Sequence, residues 1–166
     1  DFTPGVLSLE GAQKAPLAST LAKQLGLYLA LYSPIQMAAD FIETLAKYPR
    51  ELAFIRLVPA DWSESHLVAG EVGDYAIFAR KDRNSDDWYV GGVNDATART
   101  VPLTFDQLEP GRAYTATIYK DGDGATYLTE TRHRIAYETR TIRKGDRYDL
   151  WLAPGGGAAI RLTPQR

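Results

Sequence analysis

The side chains able to do chemistry in this chain are few and scattered. Of its 166 residues none is cysteine and two are histidine, His66 and His133, neither with a nucleophile or acid at a recognisable spacing. Thiolate metal sites, cysteine nucleophiles and disulfide frameworks are therefore excluded, and nothing favours a histidine-rich metal centre. No nucleophile elbow, P-loop or dinucleotide fingerprint is present. Asp121-Gly122-Asp123-Gly124 has the look of a calcium loop. It lacks the spaced acidic ligands and closing Glu of an EF-hand and reads as a Gly-Asp hairpin turn. Trp62, Trp88, Tyr89 and Trp151 offer faces on which sugar rings could stack. Trp88, Val90 and Gly92 share one face of an alternating segment, however, which reads as core packing, with Tyr75, Ile77 and Val90 as neighbours of Trp88. Arg132, His133 and Arg134 read as a solvated edge that discourages strand pairing.

The rest of the composition narrows the classes further. With 45% hydrophobic and 24% charged residues, this is ordinary globular composition. Nineteen basic residues against 21 acidic give a net charge of −2, and no Lys/Arg run exceeds two, so nucleic acid and anionic membranes are poor partners. The longest apolar run, Leu25 to Tyr32, is far short of the ~20 residues of a membrane span. The chain begins at Asp1, its single Met is Met37, and it has no apolar leader. It is expected to be a piece of something longer.

Texture changes near residue 59. The first part is rich in Leu and Ala. Ser19 is the expected N-cap of a helix whose Leu21, Ala22, Leu25, Tyr28, Leu29 and Tyr32 keep the spacing of one apolar face. Leu27, Ala30 and Leu31 make that helix apolar nearly all round, so it must be buried on more than one side. Ser33 to Asp40 admits two readings. Ser33 and Gln36 have capping-box spacing with Pro34 at N1, which predicts helix. A short buried strand opening with Pro is the other reading. A short helix over 41–48, with Asp40 and Glu43 as cap signals, and another over 50–57 after Pro49 complete this part.

The second part alternates with period two and is broken by Gly, Asp, Asn and Pro. Strands are predicted near 66–71, 74–81, 87–94, 99–105, 112–120, 125–131, 134–142, 147–153 and 157–163. That spacing predicts an antiparallel sandwich or barrel. One sandwich face cannot cover helices apolar on most sides. Leu25, Leu27, Leu29, Leu31, Ile35, Leu52, Phe54 and Ile55 are expected to need another polypeptide or to stand exposed.

An ordered set of motifs adds a family. Asp1-Phe2-Thr3-Pro4-Gly5 resembles the D-F/Y-T-P-G turn of glycoside hydrolase family 97, the calcium-dependent α-glucosidases and related α-galactosidases. Leu21-Ala22-Lys23-Gln24-Leu25 through Ser33-Pro34-Ile35-Gln36-Met37-Ala38-Ala39-Asp40 is similar to that family's L-A-x-x-L and S-P-L-Q-M-x-A-D stretch. Phe54 to Ser65 resembles its F-x-x-x-V-P-x-x-W-D-E-T. Glu71 to Tyr75, Trp88 to Gly91 and Tyr119 to Gly122 also fit, in the same order along nearly the whole chain.

The resemblance implies an α+β fragment: residues 1–58 as the last units of a catalytic (β/α)8 barrel, residues 59–166 as a C-terminal antiparallel β-sandwich. A complete barrel needs about 250 residues. By analogy with the final strand of related barrel hydrolases, Pro34 to Ala39 becomes the last barrel strand, with Asp40 at its C-terminal end, the face where barrel chemistry sits. The family's catalytic carboxylates and calcium ligands lie outside the matching motifs, so no catalytic or metal-binding residue is carried over. The substrate-facing candidates are Asp1 and Thr3 at one strand end and Gln36 and Asp40 at another. Turn chemistry around Pro4-Gly5 is the plainer role for Asp1 and Thr3, capping of the 41–48 helix for Asp40, and satisfying backbone groups at a buried edge for Gln36.

The implied parent is an α-glycosidase, in the first instance an α-glucosidase acting on oligosaccharides with calcium near the scissile oxygen. It would be periplasmic or secreted, and this segment would close and buttress the barrel. Its partners would be the oligosaccharide substrate and the rest of the same polypeptide, with no nucleic acid or membrane. The competing readings are a stand-alone carbohydrate-binding sandwich with a helical extension, and part of an α-galactosidase.

Overall fold

A computed structural model describes residues 3–165. The second part of the chain forms eight antiparallel strands: β1 Trp62–Glu71, β2 Tyr75–Asp82, β3 Trp88–Asn94, β4 Arg99–Thr104, β5 Ala113–Asp121, β6 Ile135–Arg143, β7 Arg147–Leu152 and β8 Gly157–Pro164. Six of them make one sheet in the order β1-β2-β3-β8-β5-β6, and β4 and β7 pair as a second, two-stranded sheet. Alternation sorts side chains between the faces. Ile77, Ala79, Trp88, Val90, Tyr114, Ala116, Ile118, Ile160 and Leu162 point inward and meet Val101, Leu103, Tyr148, Leu150 and Leu152 of the small sheet. Trp88 is 2% exposed there, with Ile77 and Val90 in the same core and Tyr75 packed at its border.

The opposite face of the large sheet carries the first part of the chain. Helix α1, Leu21–Ala30, buries Leu21, Leu25 and Leu29 against Tyr89 and Ala159, with Phe54 of α3, Pro49–Leu57, in the same cluster. Two glycines allow the approach. A Cβ on Gly26 would stand 2.3 Å from the Gly92 carbonyl oxygen, and one on Gly91 would stand 2.2 Å from Leu29 Cβ. The molecule is thus three layers: helices, large sheet, small sheet. The N-cap of α1 is Thr20, one residue later than expected, because its Oγ1 accepts from the Lys23 amide at 3.2 Å. Ser19 instead takes the Gln24 side-chain amide at 2.9 Å.

Four further expectations are corrected. The 33–40 stretch is not the helix that the capping-box spacing predicts; among the described residues its backbone bonds to the 3–9 stretch, through Ala39 N on Pro4 O. The predicted strand at 125–131 is turn, followed by a 3-10 turn over Glu130–His133, since the β5–β6 connection packs under the β7–β8 loop through Tyr127 N on Pro154 O. Arg132 is not a solvated edge residue: it is 6% exposed, with Nη1 on the Leu17 carbonyl at 3.2 Å. Asp121 does not sit in a hairpin turn. It ends β5 with a buried carboxylate that accepts from Thr20 Oγ1 at 2.6 Å, Ala153 N at 2.8 Å and Gly157 N at 2.9 Å.

The need for partners divides in two. Leu25, Leu29 and Phe54 are buried, so α1 and α3 find a partner in the sheet. Leu31, Tyr32, Ile35, Met37, Phe41, Ile42 and Leu57 are exposed large apolar side chains in the first part of the chain, Phe41 at 81% and Ile42 at 80%. The helix expected over 41–48 is reduced to α2, Ile42–Leu45, whose N-cap is Phe41 with no side-chain hydrogen bond. The large sheet has two edges, β1 and β6. Pairing of β1 with β2 shifts register twice, between Trp62 and Glu64 and between Leu67 and Ala69. Among the described residues no helix is long and apolar enough to cross a membrane.

Candidate functional site

Two irregular stretches lie side by side at the end of α1. Ala39 N donates to Pro4 O at 3.0 Å. Asp40 fixes the neighbouring turn with both oxygens: Oδ2 accepts from Ser8 N at 2.7 Å and Oδ1 from Ser8 Oγ at 3.1 Å. Beneath them the Tyr28 hydroxyl donates to Met37 O at 3.1 Å, with Pro4 O at 3.4 Å. Burial pushes the Tyr28 phenol well above its ordinary range, so it remains a donor at any working pH. Val6 N is held by Gln24 Oε1 at 3.1 Å, and so the turn, the helix and the second stretch form one hydrogen-bonded unit.

The predicted residues fall in this unit unevenly. Thr3 is exposed, at the start of the first stretch; Asp1 lies outside the described residues. Asp40 is not the cap of α2, but neither is its carboxylate free: two hydrogen bonds to Ser8 are made, leaving lone pairs for a further donor. Gln36 turns the other way, and its Nε2 donates to the Tyr28 carbonyl at 3.1 Å. The structure therefore brings the Thr3 and Asp40 stretches together and assigns Gln36 to the helix end. Sequence reasoning missed Ser8 and Tyr28. Tyr28 was absorbed into the apolar stripe of its helix, where a phenol reads as core; Ser8, 32 residues from Asp40, carries no local signal.

The other chemistry-bearing groups are structural in their contacts. Trp62, Trp88 and Tyr89 are 6%, 2% and 2% exposed, so they offer no open ring face to a sugar. Tyr89 donates to Leu57 O at 3.1 Å, and burial pushes its phenol up to about 12. A cleft of about 390 Å³ lies between α3 and β6, lined by Tyr48, Arg50, Glu51, His133 and Tyr137. Within it Tyr137 donates to Glu51 Oε1, and Arg50 lies 4.5 Å over the Tyr137 ring. His66 Nε2 and Glu64 Oε2 are 3.2 Å apart on an exposed strand. Among the described residues no three His, Asp or Glu side chains come together to hold a metal ion.

Comparison with known proteins gives this geometry a context. Residues 61–163 match the family model described as glycosyl-hydrolase 97 C-terminal, oligomerisation. The chain is 35% identical over 147 residues to a retaining alpha-galactosidase of Bacteroides thetaiotaomicron, covering 86% of this chain and 21% of that protein. It is 31% identical over 163 residues to a probable retaining alpha-galactosidase of Streptomyces bingchenggensis, covering 96% of this chain and 23% of that protein. Among solved structures, a glycoside hydrolase family 97 enzyme from Pseudoalteromonas sp. strain K8, in complex with panose or with acarbose, superposes with a TM-score of 0.93 at 42% identity. That match covers 100% of this chain and 26% of the solved one. The chain thus spans about a quarter or less of the length of these relatives.

Proposed function

The chain belongs to glycoside hydrolase family 97 and carries its C-terminal domain at residues 61–163, and from that premise we propose that the polypeptide it is part of hydrolyses α-glucosidic bonds in oligosaccharides. One observation carries the choice of glucoside: the Pseudoalteromonas enzyme solved with panose and acarbose is 42% identical across the whole chain. The α-galactosidase reading is favoured by the names of the two curated relatives, which are 35% and 31% identical.

In this reading residues 1–58 are the last units of the catalytic barrel and 59–166 the accessory sandwich. Pro34 to Ala39 is then the final barrel strand, with Asp40 at its end, beside the 3–9 stretch that ends the strand before it. The exposed set from Leu31 to Ile42 supports this, because lone soluble proteins rarely leave so much apolar surface open. The barrel is the occupant that would cover it. Glycoside hydrolysis needs a pair of carboxylates across the bond, and we place that pair, with the calcium ligands, outside this chain. Asp40 and Thr3 then contact substrate or orient a group that does. The family description makes association between copies part of the sandwich's role, and a periplasmic or secreted location follows the family resemblance.

The test is turnover of 4-nitrophenyl α-glucoside and α-galactoside by the full polypeptide and by residues 1–166 alone. The expected result is α-glucoside hydrolysis by the full polypeptide and none by the fragment. Turnover of the galactoside alone would establish the second reading. Activity in the fragment that a point mutation abolishes would overturn its structural role.

A further inference from the structure

The carbonyls at the C-terminal end of a helix have no partner within it. In α1 the Leu27 carbonyl is met by the Leu31 amide at 3.1 Å. Those of Tyr28, Leu29, Ala30 and Leu31 are met by two side chains arriving from different parts of the chain. Gln36 Nε2 donates to Tyr28 O at 3.1 Å and lies 3.5 Å from Leu31 O. Arg80, on β2 of the sandwich, donates from Nε to Leu29 O at 2.6 Å and from Nη2 to Ala30 O at 3.4 Å. Its Nη1 donates to Ser65 Oγ at 2.7 Å, which ties the neighbouring strand to the same guanidinium.

Arg80 is 7% exposed, and no carboxylate pairs with it among the described residues. A buried charge without a counter-ion is costly unless its donors are used and a dipole opposes it. Here the negative end of α1 stands where a carboxylate would. The guanidinium is also flanked by the Phe78 ring at 5.2 Å and the Tyr32 ring at 5.9 Å. A fixed planar fork reaches three acceptors at once; an ammonium would reach fewer. Gln36 and Arg80 thus share one helix end, Gln36 from the 33–40 stretch and Arg80 from the sandwich. Beyond Gln36 the same stretch is held by Tyr28 on Met37 and then reaches Asp40.

We infer that Arg80 is a positioning residue: by capping α1 alongside Gln36, it makes the accessory sandwich set the placement of the Gln36–Asp40 stretch. The catalytic consequence rests on the function proposed above; the coupling does not.

The test uses the full polypeptide, with Arg80→Met, Arg80→Lys and Gln36→Leu, and reads amide hydrogen exchange and kinetics separately. Arg80→Met is expected to speed exchange in residues 33–40 while β5 and β8 keep their protection. Its kcat on the preferred aryl α-glycoside is expected to fall on the order of tenfold to a hundredfold, as a site displaced by about an ångström would. The double variant with Gln36→Leu should lose much less than the product of the two single losses, because both act through one cap. Unchanged exchange in 33–40 would overturn the proposal whatever the kinetics. Faster exchange with unchanged kcat would establish the coupling and overturn its catalytic consequence, leaving the proposed activity standing. Absence of α-glycosidase activity in the unmodified polypeptide would sink the proposed function, with exchange still deciding the coupling. Should Arg80→Met fail to fold, Arg80→Lys, which keeps charge and stem but not the fork, carries the same readouts.

Discussion

The two faces of the large sheet are built on different principles. The inner face is an apolar layer closed by the small sheet, and Ile77, Leu103, Ile118 and Ile160 are each 0% exposed within it. The outer face holds its helices by apolar contact and also by polar ties across long sequence distances. Asp121 accepts from Thr20, Lys23 Nζ donates to Asn94 O at 2.9 Å, Tyr89 donates to Leu57 O, and Arg80 caps α1. An apolar layer tolerates small shifts, because its attraction has no direction. A hydrogen-bonded layer fixes register, because each donor has one place to go. The sandwich is thus joined within itself mainly by burial, with Tyr148 of β7 tied to Lys120 and Glu138 as its polar link, and to the preceding helices by several such ties.

Three experiments would break or sharpen that contrast. The largest effect is expected inside: Trp88→Ala removes a buried ring from the inter-sheet core and should cost about 3–5 kcal/mol, read as a lower urea midpoint. An unchanged midpoint with lost binding to starch oligosaccharides would instead make Trp88 a sugar platform and revive the binding-module reading.

A smaller, pH-dependent effect is expected at the outer ties. Burial holds Asp121 above the ordinary carboxylate range, against the opposing pull of its bonds from Thr20, Ala153 and Gly157 and of Lys23. A raised folded-state value means that the folded protein binds the proton more tightly than the unfolded chain. The wild type therefore loses stability as pH rises through that value and regains it as pH falls. Asn at 121 cannot ionise, yet can accept from the two amides and donate to Thr20 Oγ1. Wild type minus Asp121→Asn stability should become more favourable to the wild type between pH 7 and pH 4, in urea midpoints at each pH. The opposite slope would mean that the ties outweigh burial.

The smallest effect is expected where the first part of the chain is uncovered. Phe41→Ser with Ile42→Ser should change the stability of residues 1–166 by no more than about 0.5 kcal/mol while reducing binding of a hydrophobic dye. In the full polypeptide the same pair should be destabilising, by about 1.5–3 kcal/mol for each side chain that becomes buried. Equal effects in both would mean that nothing covers this patch.

What the sequence disclosed follows the same division. Period-two alternation located the strands that line the inner core, and Trp88 with its neighbours could be named, because burial on one face leaves a local trace. The 125–131 segment misled because Tyr127 and Leu128 resemble strand residues while their backbone serves the β7–β8 loop. Asp121 was hidden by the turn-like Gly122-Asp123-Gly124 that follows it. Arg80 carries no local signal beyond its place on an alternating strand, and its acceptors on α1 are 50 or 51 residues away. Of the candidate site, Asp40 and Thr3 were placed by resemblance. Their bonding, through Ser8, Tyr28 and the Pro4 carbonyl, depends on contacts that no spacing rule encodes.

The double register break along β1 bears on how this protein behaves when concentrated. A straight free edge is a template on which another chain can add a strand, and repetition of that step leads to fibres. β1 interrupts its hydrogen-bonding pattern near Ser63 and again near Val68, so it presents no long uniform ladder to copy. The other edge, β6, bears Glu138, Arg140 and Arg143. Each edge of the large sheet thus carries a feature that disfavours addition of a further strand.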